Sequence, residues 1–239
     1  MMLLDRDSDR RCELAAIRFT RQVLTSDDLT RLFWISGSTC AGKTSVSSAV
    51  AERLNFNVYH CDENEHSQGQ RANPARHPNW FAYSRLTGDA LWLQPVEQHL
   101  AHEERACAEQ FELIVEDLAK SLRADCRPLI YDGYVSPYIL AALLPRQSHA
   151  FYLVATDDFQ RIFYKQRPWI KDVLAKTSNP ELAWENWMRR DSMGARALEG
   201  KLRETGLDWI LVDGTLPLDE TVNRVAAHFA RAQESVRGV

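Results

Sequence analysis

Short apolar runs alternate along this chain with longer stretches in which apolar residues recur at helical spacing. The run at residues 31–36 leads into a glycine-rich turn, and the turn leads into a helical stretch at residues 45–54. Apolar strands separated by helices are typical of a parallel sheet that is covered on both faces. The pattern therefore predicts a single α/β domain over residues 1–239, with five strands at residues 31–36, 57–62, 128–132, 150–155 and 209–213.

The turn after the first predicted strand has the spacing of a phosphate-binding loop. It reads Gly37, Ser38, Thr39, Cys40, Ala41, Gly42, Lys43 and Thr44. A Gly-x-x-x-x-Gly-Lys-Thr loop turns backbone N–H groups towards an anion at a helix N-terminus and aims its lysine at the β- and γ-phosphates. We therefore expect these residues and Ser45 to bind a nucleoside triphosphate, with Lys43 on the phosphates and the Thr44 hydroxyl on Mg²⁺.

Acidic residues stand at the ends of three other predicted strands, at Asp62, Asp132 and Asp213. The carboxyl ends of parallel strands meet at one edge of a sheet, and ligands of open α/β sheets bind there. Asp132 is followed by Gly133 and suits a magnesium site in which its carboxylate holds a metal-bound water. An Asp-Gly turn is the structural alternative for this pair.

With these motifs the chain resembles the P-loop small-molecule kinases, which include nucleoside monophosphate kinases, shikimate kinase, gluconate kinase and chloramphenicol phosphotransferase. The resemblance in architecture covers residues 31–229, and only the glycine-rich loop matches these kinases residue by residue. It implies a three-layer fold with the strand order 2-3-1-4-5, ATP as the phosphate donor, Mg²⁺ and a lid over the phosphates. It also implies that Gly214 and Thr215, after the fifth strand, lie beside the adenine ring.

The same resemblance gives Asp62 a role. In shikimate kinase and chloramphenicol phosphotransferase an aspartate just after the second strand faces the acceptor hydroxyl, and Asp62 occupies the matching place. A carboxylate there can orient the hydroxyl and accept its proton. Glu63 is the second candidate, and a solvated acidic turn is the structural alternative. Adenylate kinases continue the third-strand Asp-Gly with Phe-Pro-Arg, whereas Tyr134 follows here, which disfavours a monophosphate acceptor.

A long excursion at residues 63–125 separates the second and third predicted strands. We interpret it as an acceptor-side insertion with helical stretches at residues 89–106 and 107–122. Trp80 within it is either a packing residue or the floor of a substrate pocket. Residues 1–30 are interpreted as an N-terminal extension, in which the amphipathic stretch 13–24 predicts an added helix on the outside of the domain.

A second excursion, at residues 158–190, is rich in Arg, Lys and Trp, and we interpret it as the lid. Arg161 and Lys165 lie at i and i+4, so one helical face would carry both. Arg161 and Arg167 are the leading candidates for contact with the transferring phosphoryl group, because a guanidinium grips phosphate oxygens in pairs. A solvated helix face is the structural alternative.

The composition disfavours several classes of binding partner and of site. The formal net charge of −4 and the pI near 6.0 disfavour nucleic acid as a partner. The five cysteines include no Cys-x-x-Cys pair, so neither a disulfide framework nor a zinc site is indicated. The first residues lack the apolar stretch of a signal peptide, and no apolar run is long enough to span a bilayer, so we expect a cytoplasmic protein without membrane association. Nothing indicates the oligomeric state.

The predicted function is therefore an ATP- and Mg²⁺-dependent kinase that phosphorylates a hydroxyl of a metabolite or an antibiotic. A nucleoside monophosphate kinase, a nucleic-acid or tRNA kinase, and a regulatory module that binds ATP without transferring phosphate are the alternatives. GTPases and transport ATPases are disfavoured because neither an Asn-Lys-x-Asp string nor a Leu-Ser-Gly-Gly-Gln string occurs.

Overall fold

The computed structural model describes residues 6–237, so residues 1–5 of the predicted extension and the last two residues of the predicted domain lie outside the described part. A single parallel sheet with the strand order β2-β3-β1-β4-β5 forms the centre. Its strands are β1 (Leu32–Gly37), β2 (Asn57–His60), β3 (Leu129–Asp132), β4 (Ala150–Ala155) and β5 (Trp209–Val212). The predicted α/β class, the parallel sheet and the strand order are confirmed.

Helices account for most of the remaining described chain. They are α1 (Arg6–Val23), α2 (Ser26–Arg31), α3 (Lys43–Leu54), α4 (Cys61–Arg71), α5 (Pro78–Tyr83), α6 (Gly88–Trp92), α7 (Val96–Ala124), α8 (Pro137–Leu143), α9 (Asp157–Lys165), α10 (Trp169–Leu174), α11 (Pro180–Thr205) and α12 (Leu218–Arg237). Among the helices within residues 6–237, none is both long enough and apolar enough to cross a membrane.

The apolar strands have two buried faces, and β1 shows why. Successive side chains of a strand point to opposite sides of the sheet. Leu32 and Trp34 therefore pack on one side with α1, α7, α8 and α11, while Phe33 and Ile35 pack on the other with α3 and α12. All six residues of β1 are buried, which explains the continuous apolar run in the sequence. The result is a layer of helices on each side of the sheet.

The predicted bounds of the helices inside the insertion, and of the second strand just before it, are wrong. The stretches predicted at residues 89–106 and 107–122 are the short helix α6 followed by the 29-residue helix α7. No glycine or proline interrupts α7, and Pro95 stands just before it, where proline is tolerated. The second strand also ends at His60 rather than Asp62, because the chain turns there directly into α4.

The predicted N-terminal helix is present as α1, but it is not merely an addition to the surface. Ala16 and Thr20 of α1 and Leu24 after it are buried, with exposed fractions of 1%, 0% and 4%. Ala16 and Leu24 belong to the same apolar core as Trp34 of the central strand. The expectation of an outside position is therefore wrong for the inner face of α1, which closes one side of the core.

A smaller apolar cluster joins the insertion to the predicted lid segment, residues 158–190. Trp92 of α6 stacks on Trp187 of α11 with ring centroids 3.9 Å apart, and Tyr164 of α9 packs beside them. Cys40, from the loop after β1, is buried in the same cluster. Side chains of the insertion and of the predicted lid segment therefore pack together beside the loop that follows the central strand.

Candidate active site

The glycine-rich loop, residues 37–44, connects β1 to α3 in a tightly constrained backbone conformation. Gly37, Cys40 and Gly42 have φ angles of 145°, 59° and 81°, in the region that favours glycine. A Cβ on Gly37 would lie 1.8 Å from the carbonyl oxygen of Leu153 in β4, so only glycine fits there. The Ser38 N–H donates to that same carbonyl, at 3.0 Å. The loop is thus fixed against the neighbouring strand.

Lys43 begins α3 and folds back over the loop. Its Nζ donates to the Ser38 carbonyl oxygen at 2.8 Å. Burial lowers the pKa of Lys43, and the nearby carboxylates of Asp62 and Asp132 act in the opposite direction. The structure therefore brings together three residues that the sequence analysis had proposed on separate grounds: the loop lysine, the candidate base and the candidate metal-site aspartate.

Asp132 ends β3 and is buried, with 4% of its surface exposed. Its Oδ2 lies 2.7 Å from Nδ1 of His60, which ends the neighbouring strand β2 at the same register position. His60 had been given no role from the sequence. The signal that could have identified it is its position, since His60 and Asp132 both close adjacent parallel strands. The imidazole holds one carboxylate oxygen in a fixed orientation.

Thr44 and Ser45 lie in the first turn of α3 and are exposed. Within the described residues, no group of three or more His, Cys, Asp or Glu side chains is arranged to hold a metal ion. Mg²⁺ in nucleotide sites commonly takes only one or two protein oxygens and completes its shell with phosphates and water. The Thr44 hydroxyl and the Asp132 carboxylate are hard oxygen ligands of that kind.

Asp62 lies in the first turn of α4, exposed, and lines a cleft in front of the loop. Glu63 is exposed on the same turn but does not line this cleft. The close approach of α4 is possible because residue 133 is glycine: a Cβ there would lie 2.7 Å from the Cβ of Cys61. Of the two acidic candidates, Asp62 is the one that faces the loop.

The cleft has a cavity volume of about 180 Å³. The glycine-rich loop and Asp62 form one side, and Tyr134 after β3 contributes to its lining. The opposite walls are two long helices, α7 through Glu103 and α11 through Arg190. The N-terminal half of α7 thus supplies a wall of the site while its C-terminal half packs in the main core. Trp80 packs on Ala106 and Leu113 and does not line the cleft.

A buried charge cluster on α11 forms part of the cleft wall, and its arginine, Arg190, is the last residue of the predicted lid segment. The Nε of Arg190 donates to Oδ1 of Asp191 at 2.8 Å, and its Nη1 lies 3.2 Å from Oε1 of Glu103 on α7. Nη1 also donates to Nε2 of His99 at 3.2 Å, and burial lowers the pKa of His99 to about 3, so that its ring is a neutral acceptor. The sequence signal that could have identified this cluster is the adjacent charged pair Arg190 and Asp191, which falls among the apolar, buried positions of α11.

The same cluster reaches the glycine-rich loop. Tyr164 of α9 donates to Oδ2 of Asp191 at 2.7 Å, and Gln160 lies 3.4 Å from that oxygen. Nε2 of Gln160 also donates to the backbone carbonyl of Thr39 at 3.2 Å. A chain of buried hydrogen bonds therefore joins the loop to both helical walls of the cleft.

The two arginines predicted in the lid segment have different surroundings. Arg161 of α9 forms an ion pair with Glu185 at 3.0 Å and lines a separate surface groove. Arg167 lies after α9, with its guanidinium 5.4 Å from the centre of the Tyr164 ring. Burial raises the pKa of Cys40 and lowers the pKa of Lys43, and the nearby charge of Arg167 acts to lower both. The structure brings Arg167 to the loop and leaves Arg161 outside the cleft.

Gly214 and Thr215 follow β5, on the opposite side of β1 from Asp62. Gly214 has a φ of 87°, and the Asp213 carboxylate accepts a hydrogen bond from the Thr215 N–H at 2.9 Å. This exposed turn lies beside Phe159 at the start of α9. Its contact with a nucleotide base stays a prediction.

No protein-family model matches this chain, and no curated protein matches it at a significant level. Assignment of a function therefore depends on the residues of the loop and the cleft.

Proposed function

We propose that this protein is an ATP- and Mg²⁺-dependent phosphotransferase that moves the γ-phosphate of ATP to a hydroxyl group of a small molecule. The observation that supports this function best is the meeting of the glycine-rich loop, Lys43 and Asp62 at one cleft. A nucleotide-binding module would need the loop and the lysine. A carboxylate in front of them is the additional group that transfer to a hydroxyl requires.

The loop would hold the phosphates. Its backbone, constrained at Gly37 and Gly42, precedes the N-terminus of α3, where N–H groups and the helix dipole favour an anion. Lys43 already has its ammonium over the loop and would neutralise the β- and γ-phosphates. Since burial lowers its pKa, a phosphate dianion would stabilise its charged form and so bind favourably.

The hydroxyl of Thr44 and the carboxylate of Asp132 are the residues that would hold Mg²⁺. The ion would supply positive charge to the phosphate oxygens during transfer. Asp132 fits this role because it is buried close to Lys43 and because His60 fixes one of its oxygens. Such supporting contacts orient metal-binding carboxylates.

Asp62 would act on the acceptor. The acceptor oxygen forms a bond to the γ-phosphorus, the bond between that phosphorus and the bridging oxygen breaks, ADP leaves, and the hydroxyl proton passes to the Asp62 carboxylate. Arg167 is the lid-segment group best placed to stabilise the charge on the transferring phosphoryl, because it lies near Cys40 and Lys43.

The test of this function is Lys43→Ala. We expect the variant to fold and to lose ATP turnover by at least about a hundredfold, because a preorganised positive charge on the phosphates is removed. ATP affinity is measured by calorimetry with Mg²⁺, and turnover is measured as ADP release. Lys120→Ala is the matched control, because Lys120 lies far from the cleft lining with 67% of its side chain exposed. Near-normal ATP binding and turnover by folded Lys43→Ala would contradict the proposal.

A further inference from the structure

The charges that line the cleft are unevenly distributed. Four carboxylates line it, those of Asp62, Glu103, Glu104 and Asp191, against the two cationic side chains of Lys43 and Arg190. In the proposed function Lys43 is occupied by phosphate. Arg190 is therefore the cationic side chain in the cleft lining that an acceptor could use.

Arg190 is already fully engaged by protein carboxylates. Both its Nε and its Nη2 contact Asp191, and its Nη1 lies 3.2 Å from Glu103. One guanidinium is thus paired with two carboxylates. Arg190, Asp191 and Glu103, here called the Arg190 trio, therefore carry a net negative charge. A carboxylate or phosphate on the acceptor would have to displace one of these buried ion pairs, and breaking a buried pair is costly.

The charge of Glu104 is balanced by Lys201, whose Nζ lies 2.8 Å from Oε1 of Glu104. Asp62 is different: no hydrogen bond or ion pair of its side chain is found within residues 6–237. Once phosphate occupies Lys43, the negative charge of the cleft that protein cations leave unpaired is therefore at Asp62, beside the loop, and at the Arg190 trio, on the opposite wall.

Glu103 is the member of that trio that opens to the cleft. About a third of its side chain is exposed (30%), whereas Arg190 and Asp191 are exposed by 7% and 3%. The Tyr83 hydroxyl donates to Glu103 Oε1 at 3.2 Å. Burial raises the pKa of Glu103 even though Arg190 acts to lower it, so further positive charge nearby would stabilise the ionised carboxylate. A ligand cation at this position would supply that charge.

We propose that the acceptor is a hydroxyl compound that also carries a protonated amine, and that the cleft binds the ammonium through Glu103 while Asp62 receives the hydroxyl. This inference rests on the proposed phosphotransferase function. It identifies the substrate class as an amino alcohol, amino sugar or aminated cyclitol, and it excludes acceptors whose recognised group is a carboxylate or a phosphate.

Two matched sets of probes test the proposal. One set is glucosamine, glucose and gluconate, and the other is 2-deoxystreptamine, inositol and quinate, so that each set has an aminated, a neutral and a carboxylated member. Binding to the wild-type protein is measured by calorimetry with Mg²⁺ and a non-hydrolysable ATP analogue. We expect at least one aminated member to bind at least about tenfold more tightly than its neutral and carboxylated counterparts, because a charge-assisted hydrogen bond contributes on this order. Its affinity should fall with added salt and as pH rises through the pKa of the amine.

Variants at position 103 locate the ammonium. Glu103→Gln should abolish the preference for the aminated probe, and Glu103→Asp, which keeps the charge, should retain part of it. Glu97→Gln is the matched control on the same helix, because Glu97 is exposed, pairs with Arg189 and does not line the cleft.

The outcomes separate the two proposals. If the ATP analogue does not bind, the phosphotransferase function fails. If it binds but no aminated probe binds, or if a neutral or carboxylated counterpart binds as tightly, only the amine-bearing substrate class is overturned. A preference that survives Glu103→Gln in a folded protein would overturn the assignment of Glu103.

Discussion

Asp62 and Glu63 are neighbours with the same charge, yet only one of them faces the glycine-rich loop. Successive residues of a helix point in directions about 100° apart. Because both lie in the first turn of α4, the side chain of Asp62 enters the cleft and that of Glu63 remains outside its lining. At the scale of one residue, the helix phase therefore selects the candidate base.

Asp62→Asn keeps the shape of the side chain but removes its charge and basicity. We expect turnover to fall by about a hundredfold to ten-thousandfold, because positioned general bases contribute on this order. ATP affinity should change little, since the loop and Lys43 are intact. Glu63→Gln, with the same change of charge one residue away, should leave turnover near the wild-type value. Equal losses in both variants, measured by initial rates with an acceptor that the wild-type protein phosphorylates, would contradict the selection of Asp62.

The candidate residues that stand within short local patterns are the ones whose position the sequence could predict. Lys43 and Asp132 follow apolar strands within recognisable short patterns, and the structure places both at the same edge of the sheet. His60 and Arg190 have no such pattern. Their partners, Asp132 and Glu103, are distant in the chain, so the pairs exist only after the sheet and the two long helices have packed.

At the scale of elements, the predicted lid segment, residues 158–190, is anchored at one side. Tyr164 of α9 and Trp187 of α11 belong to a buried cluster that includes Cys40 of the glycine-rich loop. Arg167 follows α9 directly and stays near this cluster, whereas Arg161 lies on the other side of α9 with Glu185. The helical face shared by Arg161 and Lys165 was visible in the sequence, but the direction in which it points depends on the packing of α9 against α11.

Arg167→Ala should lower turnover by at least about tenfold, with a smaller effect on ATP affinity, because its charge would act chiefly on the transferring phosphoryl group. Arg161→Ala is the internal control and should change turnover by no more than about twofold, since exposed ion pairs contribute little. Single-turnover kinetics and ATP titrations would separate the two effects. A larger loss in Arg161→Ala than in Arg167→Ala would show that the lid segment binds phosphate in another arrangement.

At the scale of the whole molecule, the N-terminal segment is part of the structure that supports the site. α1 packs on α7, and α7 carries Glu103 into the cleft while its later turns fill the main core. The amphipathic pattern of residues 13–24 was sufficient to predict a helix. It could not show which surface the helix covers, because that depends on an apolar face of α7, whose length was also underestimated.

Leu24→Ala should reduce the free energy of unfolding by about 2–5 kcal/mol, the usual cost of truncating a buried leucine. Leu14→Ala, at a position with 41% exposure, should change it by less than about 0.5 kcal/mol. Chemical denaturation followed by circular dichroism measures both. If Leu24→Ala were as stable as the wild type, the N-terminal segment would be dispensable for the core.

The central position of β1 has a consequence for the order in which the chain acquires its structure. Leu32 pairs with Leu129, and Trp34 pairs with Ala150, so both neighbours of β1 come from distant parts of the chain. Closing such long loops is entropically unfavourable, and non-local parallel pairing is slow.

The glycine-rich loop is held by Leu153, so it takes its shape only after β4 has docked. A chain still leaving the ribosome would have no anion site until more than half of it had emerged. Any ligand of the loop would therefore bind late intermediates and the native state, and would slow unfolding more than it speeds folding.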